Sequence, residues 1–407
     1  MATQSIETGS APARFTAPAA SRAQVPRKLE PAASASLDIL RAIAACAVMF
    51  GHVRTLFFVD FQHVEVKSSF ISALYFLTGF GHQAVVVFFV LSGFFISSSI
   101  LRSYAQEEWS WKDYAINRGT RLYVVLLPGL LLGFLWDRLG SGLFASKALY
   151  SHPLLDLGLT APLQDLTFGT FVGNLFFLQT ILCHTFGSNG PLWSLSNEFW
   201  YYVLFPLGFG AIAALVGKRF RSAALLIVFA LGASLLLDWA KWVGFLIWLA
   251  GFALVFLYAK TQIRSRMVAV AALLVSALFL AGILFAVRTA WNYPYLNDLA
   301  VGLAFTIFLF GVLQVAAGTA SAGFAFLAHH SADFSYSLYV LHFPFVLFLR
   351  AWIVPTDRWQ PRGEHLLTAA LAALLTLAYA WCISLVTEKK TGAVRRWIRS
   401  LVQPQQA

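Results

Sequence analysis

Charge is what this chain has least of: 12% of its 407 residues are Asp, Glu, Lys or Arg, while 59% are hydrophobic. So much apolar surface cannot be hidden in one water-soluble core, which excludes an ordinary soluble enzyme and makes lipid the solvent. Cysteine is scarce as well. Cys46, Cys183 and Cys382 lie in or beside apolar runs, with no CxxC or CxxxC spacing. They are expected as free thiols and give no metal site. No internal repeat divides the chain into related halves, and no soluble catalytic domain is appended, so one membrane domain must hold any chemistry. A formal net charge of +11 does not point to nucleic acid, because Lys and Arg stand between and after the apolar runs and do not gather on one face.

What the chain does have is long apolar runs. They begin near Leu37, Ser72, Arg121, Trp193, Ser222, Val243, Met267, Leu299, Phe334 and Leu366, each followed by polar, Gly or Pro residues. The fold class this implies is all-α integral membrane, a polytopic bundle of about ten transmembrane helices. A shorter apolar stretch, residues 168–182, contains Asn174 and Gln179 and reads as re-entrant or interfacial. Residues 1–36, rich in Ala, Pro and Ser, read as a disordered cytosolic tail and lack the early apolar region of a secretory signal. The membrane domain is expected over residues 37–388 and a basic cytosolic tail over 389–407. Positive charge sets the orientation: Arg102, Lys112 and Arg118, then Lys218, Arg219 and Arg221, then Lys260, Arg264 and Arg266 fall on one side with Lys389, Lys390, Arg395, Arg396 and Arg399 of the tail. The longest opposite break, residues 140–192, carries Asp156 and Asp165 with Lys147 alone. Both termini are therefore expected in the cytosol.

Ionisable groups inside apolar spans are costly and persist where they are paired or used. Arg41 and His52 stand eleven positions apart in the first span; at 100° per residue they share a helix face, about 16 Å apart along the axis, and would look into one cavity. The bland alternative has Arg41 reaching the interface and His52 bonding a neighbouring helix. His82 precedes an apolar run centred on Ser92 and Gly93, small residues better explained by close helix packing. Arg118 and Arg121, one turn apart at a helix start, suit a phosphate-bearing ligand, although taken alone they are better explained by plain topology signalling. Glu198 is the most deeply placed carboxylate and needs a partner; it could orient a catalytic His, bind a hydroxyl or pair with an Arg. His342 stands two residues before Pro344 and reads better as a satisfied structural histidine.

In order along the chain these segments resemble the acyltransferase 3 family of bacterial membrane O-acyltransferases, from about Leu37 to Arg396. Arg41 and His52 match its opening Arg–x10–His. Phe88 to Phe94 match FFVLSGF, and Arg118 and Arg121 its Arg-x-x-Arg, with Pro128 displaced. Trp193, Ser194, Leu195, Glu198, Tyr201 and Tyr202 match WSL-x-x-E, and Ser335 to Tyr339, His342 and Pro344 match SYSLYLxHxP. The family's acidic residue before Pro is Glu388, with Lys390 where Pro would stand, a departure expected to touch tail geometry and not chemistry.

The resemblance implies transfer of an acyl group, usually acetyl, from cytosolic acyl-CoA to a sugar hydroxyl of a cell-surface polysaccharide or its lipid-linked precursor. It implies residence in the bacterial inner membrane, no permanently bound cofactor, no nucleic acid, and polysaccharide-assembly proteins as partners. On this reading His52 is general base or acyl carrier, with Glu198 orienting or charging it. Arg41, Arg118 and Arg121 hold the phosphates of coenzyme A, while His82, Trp193, Ser194 and His342 contact substrate. A transporter or flippase of a lipid-linked sugar is the alternative; it would call for intramembrane acids, broken helices or repeated halves, which are missing. A membrane scaffold without catalysis would leave Arg41, His52 and Glu198 unexplained.

Overall fold

The computed structural model describes residues 28–402 except 148, 155–159, 317, 319, 355 and 356. Asp156 and residues 1–27 and 403–407 of the two tails lie outside the described residues. The chain runs through α1 (Pro31–Phe57), α2 (Ser69–Leu77), α3 (Gly81–Ala105), α4 (Trp111–Leu143), α5 (Phe168–Leu175), α6 (Leu192–Val216) and α7 (Phe220–Ser234). It continues through α8 (Trp239–Lys260), α9 (Arg266–Thr289), α10 (Pro294–Val315), α11 (Ala322–Ala332), α12 (Ser335–Ile353), α13 (Gly363–Val386) and α14 (Thr391–Val402). No strand occurs among the described residues, only isolated bridges such as Phe58 with Trp359.

Nine spans among the described residues are long and apolar enough to cross a membrane: α1, α2 with α3, α4, α6, α8, α9, α10, α12, and α13 with α14. The remaining expected run, near Ser222, is α7, whose 15 residues fall short of a straight crossing. Local chemistry sets the starts. Ser110, Asp238, Ser265 and Ser321 each accept a hydrogen bond from the backbone N–H three residues on, capping α4, α8, α9 and α11. The first helix begins at Pro31, not Leu37, correcting the expected tail boundary. Proline at the helix start has its φ already set and lacks only an N–H that would be unpaired there, and the Ala-rich residues behind it extend the helix.

Lipid tails are as apolar as leucine, so helices associate here through close packing and interhelical hydrogen bonds. Gly93 shows the first: a side chain there would run into the Trp248 carbonyl, so its absence sets how closely α3 and α8 approach. Interior prolines show the second. Pro206 cannot donate to the Tyr202 carbonyl, and the Tyr114 hydroxyl donates there at 2.8 Å. Pro344 likewise frees the Val340 carbonyl, which accepts from Asn189 Nδ2 at 2.9 Å. In α12, 72% of the most apolar stretch is buried, against 11% in α9, so α12 is central and α9 faces lipid.

Residues 168–182 do not form a spanning helix; α5 is eight residues long. The non-helical backbone after it is partly exposed, and where it turns into the protein polar side chains satisfy it. Asn174 donates to the His184 carbonyl at 2.9 Å, and Gln179 donates to the Leu192 carbonyl at 2.9 Å. The Ser188 N–H and hydroxyl both donate to Asp137, at 2.8 and 2.6 Å. Gly187, at φ +58°, makes the turn beside that carboxylate. Cys46, Cys183 and Cys382 are free thiols.

Candidate functional site

Two cavities meet inside the bundle. The first, about 300 Å³, lies toward the ends of α1 and α4 nearest the two chain termini and is lined by Asp38, Arg41, Arg118, Arg121, Glu198 and Tyr202, among others. Arg41 Nη1 is 3.4 Å from Asp38. The Arg118 guanidinium lies 5.8 Å from the centre of the Tyr114 ring, and that of Arg121 5.6 Å from Tyr336. The fold thus brings together the three arginines assigned to coenzyme A.

Glu198 belongs to this arginine cavity. Its carboxylate accepts from the Tyr202 hydroxyl, which in turn accepts from Ser92 at 3.2 Å; Ser92 accepts from the Trp248 indole at 3.2 Å. The expectation that Glu198 orients or charges His52 is corrected by this placement, because its turn of α6 faces the arginines and its side chain is held there by Tyr202. Ser92 does more than permit close packing: it links α3 to α6 and α8.

The second cavity, about 230 Å³, is lined by His52, Arg54, Gly79, His82, Trp193 and Tyr339, among others. Arg41 and His52 therefore look into two adjoining cavities, not one. Val85 and Tyr339 line both. The Tyr339 hydroxyl is 2.5 Å from that of Ser194 and donates to the Pro191 carbonyl at 3.0 Å. Ser194 thus lines the arginine cavity as part of the wall, not the His52 cavity. His82 bonds Asp298 at 2.8 Å, and its ring stacks on Trp193 with centroids 6.0 Å apart.

The partner of His52 is His342. His52 Nδ1 and His342 Nε2 are 2.8 Å apart, and the rings lie within 14° of parallel. His342 Nδ1 lies 2.9 Å from the carbonyls of both Leu338 and Tyr339. A carbonyl can only accept, so Nδ1 of His342 carries its proton and a neutral His342 must accept at Nε2. His52 then donates from Nδ1, which leaves a lone pair on its Nε2. His342 is fully buried and is not among the residues lining either cavity. It sits behind His52 and outside the lining of both cavities, a position at odds with its assignment as a substrate residue.

Sequence reasoning set Glu388 aside. Its Oε1 is 3.0 Å from Arg121 Nη2, an ion pair not aligned as a hydrogen bond. Its Oε2 accepts from the Ser337 N–H and hydroxyl at 2.9 and 3.0 Å. The missing proline after Glu388 hid a carboxylate whose partner lies in the arginine cavity. The available signal was its position at the end of an apolar run, where a buried acid needs a cation.

Fold and cavities together define an all-helical polytopic membrane protein with polar sites embedded in its bundle. Residues 34–387 match the family Acyl_transf_3, described as an acyltransferase domain, and the chain belongs to that family. It is a membrane acyltransferase, which favours the transferase over the flippase. No curated protein and no solved structure matches the chain.

Proposed function

We propose that the protein moves an acyl group, first of all acetyl, from acyl-CoA in the arginine cavity to a hydroxyl of a cell-surface polysaccharide or lipid-linked glycan in the His52 cavity. The observation that carries this reading is the common wall: Val85 and Tyr339 line both cavities. A thioester on a long, mostly uncharged arm can reach His52 past that wall while its phosphates stay with guanidiniums that bind them through paired hydrogen bonds. Arg41, Arg118 and Arg121 are the donor residues. The membrane is the bacterial inner membrane, with both termini cytosolic, which requires the short α7 to complete an even number of crossings beside the nine long spans.

His52 Nε2 takes the proton of the acceptor hydroxyl as its oxygen attacks the thioester carbonyl carbon. The C–O bond forms, the C–S bond breaks, and the coenzyme A thiolate leaves with that proton as a free thiol. Throughout, Nδ1–H stays bonded to His342, which keeps the ring oriented without a carboxylate partner. A brief acyl-imidazole on His52 is the other route open to the same nitrogen.

The test is transfer from radiolabelled acetyl-CoA to surface glycan in membranes holding wild type or His52→Ala at equal inserted levels. The expected result is label on glycan with wild type and a loss of about 10²–10⁴-fold in the variant. Equal transfer by both would remove His52 from the chemistry. No transfer by wild type from acetyl or longer acyl-CoA to any glycan would overturn the donor and acceptor assignments.

A further inference from the structure

The His52 cavity opens onto a face whose acidic groups are nearly all matched. Asp60 gives both carboxylate oxygens to Arg358, at 3.3 and 2.9 Å. Glu65 meets Arg362 at 3.4 Å, and Asp298 meets His82 at 2.8 Å. Among the described residues, two guanidiniums at this cavity remain outside this pairing: Arg54 lines it, and Arg288 packs against its lining residue Gly79.

Arg54 follows His52 by two residues on α1 and lines the same cavity. It donates to the Thr55 hydroxyl at 3.1 Å and lies 5.1 Å from the Tyr75 ring centre. Its Nε is buried with no hydrogen-bond partner. Arg288, in the last turn of α9, lies across Gly79, another lining residue; a methyl group on Gly79 would meet its Nη2, Cζ and Nε at 2.5–2.6 Å. Arg54 feels the like charge of Arg288 and an attraction to Asp60, a carboxylate already held by Arg358; among the described residues neither Arg54 nor Arg288 has a carboxylate in ion-pair range. Two like charges, one with a buried unsatisfied donor, are unfavourable at a cavity mouth unless an anion joins them. Guanidinium groups suit carboxylate and phosphate oxygens above other anions.

We propose that Arg54 and Arg288 form an oxyanion site at the mouth of the His52 cavity, so that the acceptor carries a carboxylate or phosphate close to the hydroxyl that receives the acyl group. The site stands on its own residues; its role in the acceptor rests on the transferase reading above. The carboxylate of an acidic sugar and the phosphate of a lipid-linked glycan share this chemistry.

The experiment is a binding titration of purified protein in uncharged detergent. The probes are an oligoglucuronate, the same oligosaccharide with its carboxyl groups reduced to alcohols, and a short polyprenyl phosphate. Wild type is expected to bind at least one of the two anions, to lose that binding as salt rises, and not to hold the reduced sugar. Binding of the oligoglucuronate identifies an acidic-sugar acceptor; binding of the polyprenyl phosphate alone identifies a lipid-linked one. Arg54→Gln with Arg288→Gln should weaken the anion about tenfold or more. Arg288 is exposed, so Arg288→Gln alone keeps the helix packing and should still weaken binding severalfold. Failure of both anions, equal binding of the reduced sugar, or wild-type affinity in the Arg288 variant would overturn the proposal. Because binding is read without turnover, a protein that holds the anion but transfers no acyl group sinks the transferase reading and not this one.

Discussion

The two cavities share a wall yet are built on opposite electrostatic plans. In the arginine cavity, cations are balanced by carboxylates: Arg41 by Asp38 one turn back on the same helix, and Arg121 by Glu388 at the far end of the chain. In the His52 cavity, the group proposed to take the proton is an imidazole whose orientation comes from a second imidazole and two backbone carbonyls. The difference matches the tasks proposed for them. Gripping a polyanion calls for fixed charge that survives partial burial, whereas accepting a proton calls for a base that starts neutral.

The largest effect should come from cutting the imidazole pair from behind. His342→Phe keeps an aromatic ring in the buried slot but removes the acceptor for His52 Nδ1–H, so the tautomer and ring angle are no longer set. We expect kcat to fall about 10²-fold, with the KM for acyl-CoA unchanged because no arginine has moved. Steady-state transfer kinetics check it. A rise in donor KM with unchanged kcat would mean that the two cavities are not separable in this way.

Next comes the charged plan. Arg121→Ala leaves Glu388, at 6% exposure, without its cation. A stability loss of about 2 kcal/mol is expected, below that for a fully buried pair because Arg121 is one-third exposed. Glu388→Gln should be milder, and the double variant should recover about 1 kcal/mol relative to the sum of the single changes. Thermal unfolding in detergent measures the cycle. Additive losses would show that the pair is not coupled, and the cavity would then hold its arginines by packing alone.

These two plans were unequally legible in the sequence. Apolar runs announce a polytopic bundle because each span must satisfy its own backbone in lipid, whatever its neighbours do. Arg118 with Arg121, and Glu198 with Tyr202, are local pairs at helical spacing, so their common face could be read directly. His52 and His342 lie 290 positions apart, and only the packing of α1 against α12 joins them. Glu388 was misjudged for the same reason: its cation is on α4, far back in the chain. Pro31 carried a readable helix-start signal, but the Ala, Pro and Ser content around it outweighed that signal. Pro206 and Pro344 did mark carbonyls in need of donors; that Tyr114 and Asn189 supply them is a tertiary fact.

The smallest effect tests whether the arginine cavity depends on the helix that follows Glu388. Arg399 of α14 reaches Asp113 at 3.2 Å and the Asn117 side chain at 3.3 Å, both on the first turns of α4 that lead to Arg118 and Arg121. The Arg399 and Asp113 side chains are 42% and 43% exposed, so Arg399→Gln should lower stability by no more than about 0.5 kcal/mol. Donor KM should change less than about twofold, because the firmer tie of α14 is at its other end. There Thr391 donates to the Glu388 carbonyl at 2.6 Å, and Glu388 is itself held by Ser337. A larger rise in donor KM, without loss of stability, would mean that α14 positions Arg118 and Arg121 along its whole length. The donor cavity would then extend to the C-terminal helix, and its separation from the His52 cavity would be a property of α4 and α14 as much as of the Val85–Tyr339 wall.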